Sequence, residues 1–129
     1  MIDTAALELC LRDRALAFPD ASEHFPWGER VVKVGRGARP KIFLFLSHWQ
    51  GGLNIGLKLP SSREFALMFE ACTPMRYGLG KSGWVTTRLL PDTVFDTDLL
   101  ESWLAESYRA VAPRRLAARI AEGGTPAQA

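Results

Sequence analysis

The side chains best suited to metal or nucleophilic chemistry are few: His24 and His48, Cys10 and Cys72. A metal site needs several His, Cys or clustered carboxylates at ligand spacing, and the two histidines stand 24 residues apart. Both cysteines fall on apolar stripes of expected helices, where cysteine acts as a small hydrophobe. No metal and no cofactor is therefore expected. His48 is the one candidate exposed base, and no Gly-x-Ser-x-Gly elbow supplies a nucleophile for it. The run Gly78–Gly83 contains a Gly-Lys-Ser triplet but lacks the first P-loop glycine, since the residue five before Gly80 is Met75. It also leads into a strand, whereas a P-loop opens a helix. A non-enzymatic protein is expected.

A different chemistry is better supplied. Arg30, Lys33, Arg36, Arg39 and Lys41 gather around a glycine-rich turn. His48 and Trp49 tip the next turn, and Lys81 and Trp84 lie at a third. Cations that meet phosphates and rings that stack on bases are the components of a nucleic-acid surface. The competing reading is a solvated hairpin whose charges only block edge-to-edge pairing.

The chain has 129 residues, 47% hydrophobic and 23% charged, an ordinary globular composition for a single domain. Its net charge of +2 hides a segregation. Residues 29–88 carry ten basic against three acidic side chains, whereas both flanking segments are mildly acidic. Such polarity steers anions toward the middle of the chain. No apolar run exceeds five residues, so no membrane span is expected. The polar N-terminal residues and two unpaired cysteines point to a reduced, cytoplasmic protein, with a monomer favoured.

Positioning these residues falls to strands and turns. Residues 4–18 read as an amphipathic helix capped by Asp3 or Thr4, with Leu7, Cys10, Leu11, Ala15 and Phe18 on one face. Phe18–Gly28 reads as a loop pinned by Phe25 and Trp27. Three strands follow at Arg30–Gly35, Lys41–Leu46 and Leu53–Leu59, joined by turns too short for crossovers. In the second, Phe43 and Phe45 oppose Ile42, Leu44 and Leu46. Ser61 to Glu64 has capping-box spacing for a helix carrying Phe65, Met68, Phe69 and Cys72. Thr73–Gly83 reads as a loop, Trp84–Leu90 as a strand, Thr97–Val111 as a long helix and the segment after Pro113 as a short one. The order α-β-β-β-α-β-α-α predicts an α+β fold: an antiparallel sheet of four or more strands with helices packed on one face. The domain is expected to span 1–122, with 123–129 frayed.

Several stretches, taken in order, resemble the MmcQ/YjbR family of small bacterial proteins, whose fold is CyaY-like. They are Phe18–Ala21, Glu23–Gly28, Val32–Val34 with Lys41–Phe43, Gly56–Pro60, the trio Tyr77, Lys81 and Trp84, and Ser107–Leu116. The likeness spans about residues 4–120. It implies a DNA-binding protein with a double wing: the Gly35–Pro40 turn and one of the turns at Ser47–Gly52 or Thr73–Gly83. Gly80 stands where the family usually has Asn. Nucleic-acid contacts would then be Arg30, Lys33, Arg36, Arg39, Lys41, His48, Trp49 and Lys81, and DNA the partner. Trp27, Lys58, Tyr77 and Trp84 match recurrent family positions. They define the alternative, a small-ligand or peptide pocket without catalysis, although Trp27 and Tyr77 also suit plain loop anchoring. The fold is also similar to frataxin, which binds iron through an acidic first helix. Here Arg12 and Arg14 offset Asp3, Glu8 and Asp13, so no iron site is expected.

Overall fold

Leu53–Leu59 alternates so cleanly that it must bury one face, and in the computed structural model, which describes residues 1–120, it lies at the centre of the core. The expected tail at 123–129 lies outside the described residues. Helix α1 (Thr4–Leu16) is followed by β1 (Ala21–His24), β2 (Arg30–Val34), β3 (Lys41–Trp49) and β4 (Gly52–Lys58). Then come α2 (Arg63–Ala66), β5 (Cys72–Pro74), β6 (Trp84–Leu89), α3 (Asp98–Val111) and α4 (Arg114–Ala117). The strands form one antiparallel six-stranded sheet in the order β1-β2-β3-β4-β6-β5. The α+β class is as expected. Two strands are added: β1 lies in a segment expected as a loop, and β5 joins the expected helix end at Cys72 to the start of the expected Thr73–Gly83 loop. Both are short edge strands whose pairing comes from a neighbour rather than from their own alternation.

The α-helices pack on one face, over Leu44, Leu46, Leu53, Ile55, Leu57 and Leu89. Asp3 caps α1 by accepting from the Ala6 amide at 3.0 Å. Leu11 and Ala15 are buried as expected, but Cys10 is exposed. Cys72 is buried on β5 rather than on a helix, and its Sγ lies 3.3 Å from Thr87 Oγ1. Burial pushes its thiol pKa up. Helix α2 is one turn long, because Ala71 and Cys72 are drawn into the sheet edge. Its start is not a capping box. Glu106 of α3 accepts from the Ser61 and Ser62 amides at 2.9 Å each and from Ser62 Oγ at 2.6 Å.

A bulge sets the parity of β3. Val32 pairs with Leu44 and Lys33 with Ile42, which leaves Phe43 as an extra residue. Phe43 and Leu44 are therefore both buried with the core, and the expected opposition of Phe43 to Leu44 does not hold. Phe43 meets the Tyr108 ring edge-on at 5.1 Å, and Tyr108 stacks on Phe18 at 4.6 Å. The β3–β4 ladder runs from Trp49↔Gly52 to Phe45↔Gly56. Beyond it, buried Ser107 of α3 inserts its hydroxyl, donating to the Phe43 carbonyl (2.6 Å) and accepting from the Lys58 amide (2.9 Å). Tyr108 next to it donates to the Pro19 carbonyl at 2.7 Å. Burial, reinforced by the nearby Asp20 carboxylate, pushes the Tyr108 hydroxyl up to about 12.

At the other end of α1, Glu8 joins three elements. It accepts from Arg30 Nε at 3.0 Å and pairs with His48 Nε2 at 2.5 Å, while Arg30 also bonds Glu23. Burial alone would raise the Glu8 pKa; the hydrogen bonds from His48 and Arg30 outweigh it and hold the carboxyl below its usual value.

Two outcomes follow. Ser107→Ala strands a buried carbonyl and a strand amide together, so urea denaturation should show a loss of about 3 kcal/mol; a loss under about 0.5 kcal/mol would mean that the bridge is dispensable. Glu8→Gln should cost about 2 kcal/mol at neutral pH by leaving Arg30 undercompensated. Because the folded pKa of Glu8 is depressed, its contribution is complete above the unfolded value of about 4.3 and is lost as pH falls through the lower folded value. Denaturation across that window should show wild type and variant converging in acid.

Candidate ligand groove on the open sheet face

With the helices on one face, strand parity decides what the other presents. That face carries Phe45, Ser47 and Trp49 from β3, Asn54, Gly56 and Lys58 from β4, and Trp84, Thr86 and Arg88 from β6. Small side chains keep the floor low. At Gly56 a Cβ would run into the Met75 methyl and come within 3.1 Å of Phe45, so only glycine lets Met75 lie across the sheet. Trp84 packs edge-on against Phe45 at 5.3 Å and is buried as part of the floor.

Loops raise walls around this floor. The turn Pro26–Gly28 lifts Trp27, and residues 75–78 lift Met75, Arg76 and Tyr77. The tight β3–β4 turn sets Trp49 at the third side; Gln50 and Gly51, with φ of +46° and +75°, suit the right-handed strand twist. The result is a groove of about 760 Å³, bordered further by Glu29, Leu79 and Arg88. Trp27 is 84% exposed, Tyr77 96% and Trp49 56%. Trp27 and Tyr77 therefore do not anchor their loops, and neither does Phe25, at 55% exposure. Both Trp27 and Tyr77 adopt positive φ, +55° and +63°, which a non-glycine residue holds only at a cost of about 1 kcal/mol or more.

The expected nucleic-acid set separates. Arg30 is largely buried, bonded to Glu8 and Glu23 and lying 5.0 Å over the Phe25 ring. His48 shares Glu8 with it while also bordering the groove. Lys33 is half-buried on β2. Arg36, Arg39 and Lys41 are exposed at the β2–β3 turn, where Arg36 Nε donates to Asp20 at 3.0 Å. Lys81 is exposed on the 3-10 turn Leu79–Ser82. The register places the β2–β3 and β5–β6 connections at one end of the sheet and the β3–β4 turn at the other. Gly80 is buried, and a Cβ there would come within 2.8 Å of Pro74 and 3.1 Å of the Met75 carbonyl, so position 80 has no room for a side chain.

Of the alternative set, Trp27 and Tyr77 meet at the groove, Trp84 supports its floor, and Lys58 lies beside it on the same face. Arg88, Arg76 and Met75 were not singled out from the sequence. Arg88 was within reach, because it shares the parity of Trp84 and Thr86. Met75 and Arg76 sit in an irregular loop with no period to read. Among the described residues no cluster of three His, Cys, Asp or Glu could hold a metal ion, and no helix is long and apolar enough to cross a membrane.

A crystal structure of a Deinococcus radiodurans protein with the DUF419 domain is similar to this fold. Its TM-score is 0.65 at 28% identity, over 78% of this chain and 75% of that one. No curated protein matches the chain. The YjbR family matches residues 16–110, and the chain belongs to that family.

Proposed function

We propose that this protein is a non-catalytic binding module whose ligand lies in the groove on the open sheet face. One observation carries the reading: three mostly exposed aromatic rings, Trp27, Trp49 and Tyr77, surround a single concavity of about 760 Å³. That volume lies in the range of small-molecule sites. Exposed rings contribute little to the core, and two of them are held in strained backbone, a combination that suits recognition better than packing. The reading without catalysis is supported by His48. Its Nε2 is committed to Glu8, and among the described residues no serine or cysteine is hydrogen-bonded to it.

A second reading keeps DNA as a partner. It is favoured by Arg39 and Lys41, which are exposed and have no carboxylate partner among the described residues. With Arg36 and Lys81 they lie at the end of the sheet that carries both the Gly35–Pro40 and the Thr73–Gly83 turn. Such contacts would be to phosphates and indifferent to sequence.

Two experiments test these readings. In a thermal-shift panel of small anionic, neutral and cationic aromatics, a groove ligand at a hundred times its Kd should raise Tm on the order of 10 °C. Trp27→Gly and Tyr77→Gly should abolish that shift while leaving the unliganded Tm unchanged or higher, since glycine relieves the positive φ. Variants that melt well below wild type would return these rings to a structural role, and a panel without any hit would refute the groove. For DNA, a fluorescence titration with duplex should show affinity falling about 40-fold between 50 and 200 mM salt if three phosphates are neutralised. Arg39→Glu with Lys41→Glu should remove that binding, whereas Trp27→Gly should not.

A further inference from the structure

The guanidinium of Arg88 is held over the sheet in an unusually constrained way. Nη1 donates to Asn54 Oδ1 at 3.2 Å, and Nη2 reaches the carbonyls of Trp49 (2.9 Å) and Gln50 (3.4 Å). The group also lies over the Trp49 ring, 5.3 Å from its centroid. Space for it comes from Gly52, where a Cβ would stand 2.9 Å from Cζ. The β3–β4 turn, with Gln50 in positive φ, brings both carbonyls to it. Sequence pattern, turn geometry and a missing side chain therefore converge on one arginine rotamer.

Every one of these partners is neutral. Among the described residues no carboxylate pairs with Arg88, although Arg12, Arg14, Arg30, Arg36 and Arg115 all find one. At most three of the five N–H groups are used. A fixed, uncompensated cation in a concave site with aromatic walls attracts an anion more strongly than the same cation on open surface, because the walls exclude water. Arg76, exposed at the rim, adds charge of the same sign. Glu29 belongs to the segment that carries Trp27, so the anion's place is at Arg88 and the flat body of the ligand extends toward Trp27 and Tyr77.

We propose that Arg88 is the anion receptor of the groove and that the ligand class is a flat, aromatic molecule bearing a carboxylate or phosphate. This rests on the groove being the ligand site. The clamp by Asn54 and the turn carbonyls pre-organises the fork, so little side-chain entropy is lost on binding.

The test uses two matched pairs of probes, adenosine 5′-monophosphate with adenosine and indole-3-carboxylate with its carboxamide, titrated by tryptophan fluorescence. In the wild type the charged member of at least one pair should bind about tenfold or more tightly than its neutral partner. The pair that shows the difference identifies phosphate or carboxylate as the source of the anion. Arg88→Gln should erase the difference, Arg88→Lys should keep only part of it, and Asn54→Ala, which frees Nη1 without removing charge, should weaken the charged member several-fold. Circular dichroism of each variant establishes that it is folded, and Asn54→Ala carries the test if Arg88→Gln is not. Equal affinity within both pairs, or a difference that survives in folded Arg88→Gln, would overturn the role of Arg88 while leaving the groove as a binding site. Binding of none of the four probes would also overturn it; the wider panel of neutral and cationic aromatics then decides separately whether the groove binds at all.

Discussion

The hydroxyl of Ser107 is the joint on which the architecture turns. Where the β3–β4 ladder stops, it satisfies a strand carbonyl and a strand amide that would otherwise be buried without partners. Its neighbours in α3 do parallel work. Glu106 caps the segment that opens α2, and Tyr108 bonds the carbonyl of Pro19 just beyond α1. Three consecutive residues thus tie one helix to four separate parts of the chain. Polar groups with this many separate partners favour one docking position, which places α3 on the sheet.

That docking and the Phe43 bulge together create the open face. The bulge lets Phe43 and Leu44 both join the core, and it turns Phe45, Ser47 and Trp49 outward. With the helices on the opposite side, the outward row is partly covered by the 75–83 loop, which reaches over it through Met75. The groove is what remains between that loop, the Trp27 turn and the β3–β4 turn. Its low floor depends on Gly52 and Gly56, each of which makes room for a side chain from elsewhere, Arg88 and Met75 respectively.

The basic middle of the chain resolves into unlike environments. Arg30 is an internal strut whose pKa is raised, since the hydrogen bonds it donates to two carboxylates outweigh burial. Arg88 is fixed on the open face, while Arg39, Lys41 and Lys81 stay in solvent. A count along the sequence adds these charges together. Their meaning differs because Coulomb interactions depend on distance and burial, and Glu8, remote in sequence from Arg30, lies against it in space.

The sequence by itself determined the class of the fold, the central strands and the long helix. The alternation of Leu53–Leu59 and the stripe from Leu100 to Tyr108 are local periodicities, and a period needs no partner to be read. It also offered Trp49 as a nucleic-acid contact and, through the family resemblance, Trp27 and Tyr77 as part of an alternative ligand set; the fold brings all three to one groove. Tertiary structure alone decided the two edge strands, the swap of a capping box for Glu106, the parity of β3 beyond its bulge and the exposure of Cys10. It also decided which cations are free. Each of these depends on groups far apart in the chain satisfying one another's hydrogen bonds, charge or volume, and no local pattern encodes such a pairing.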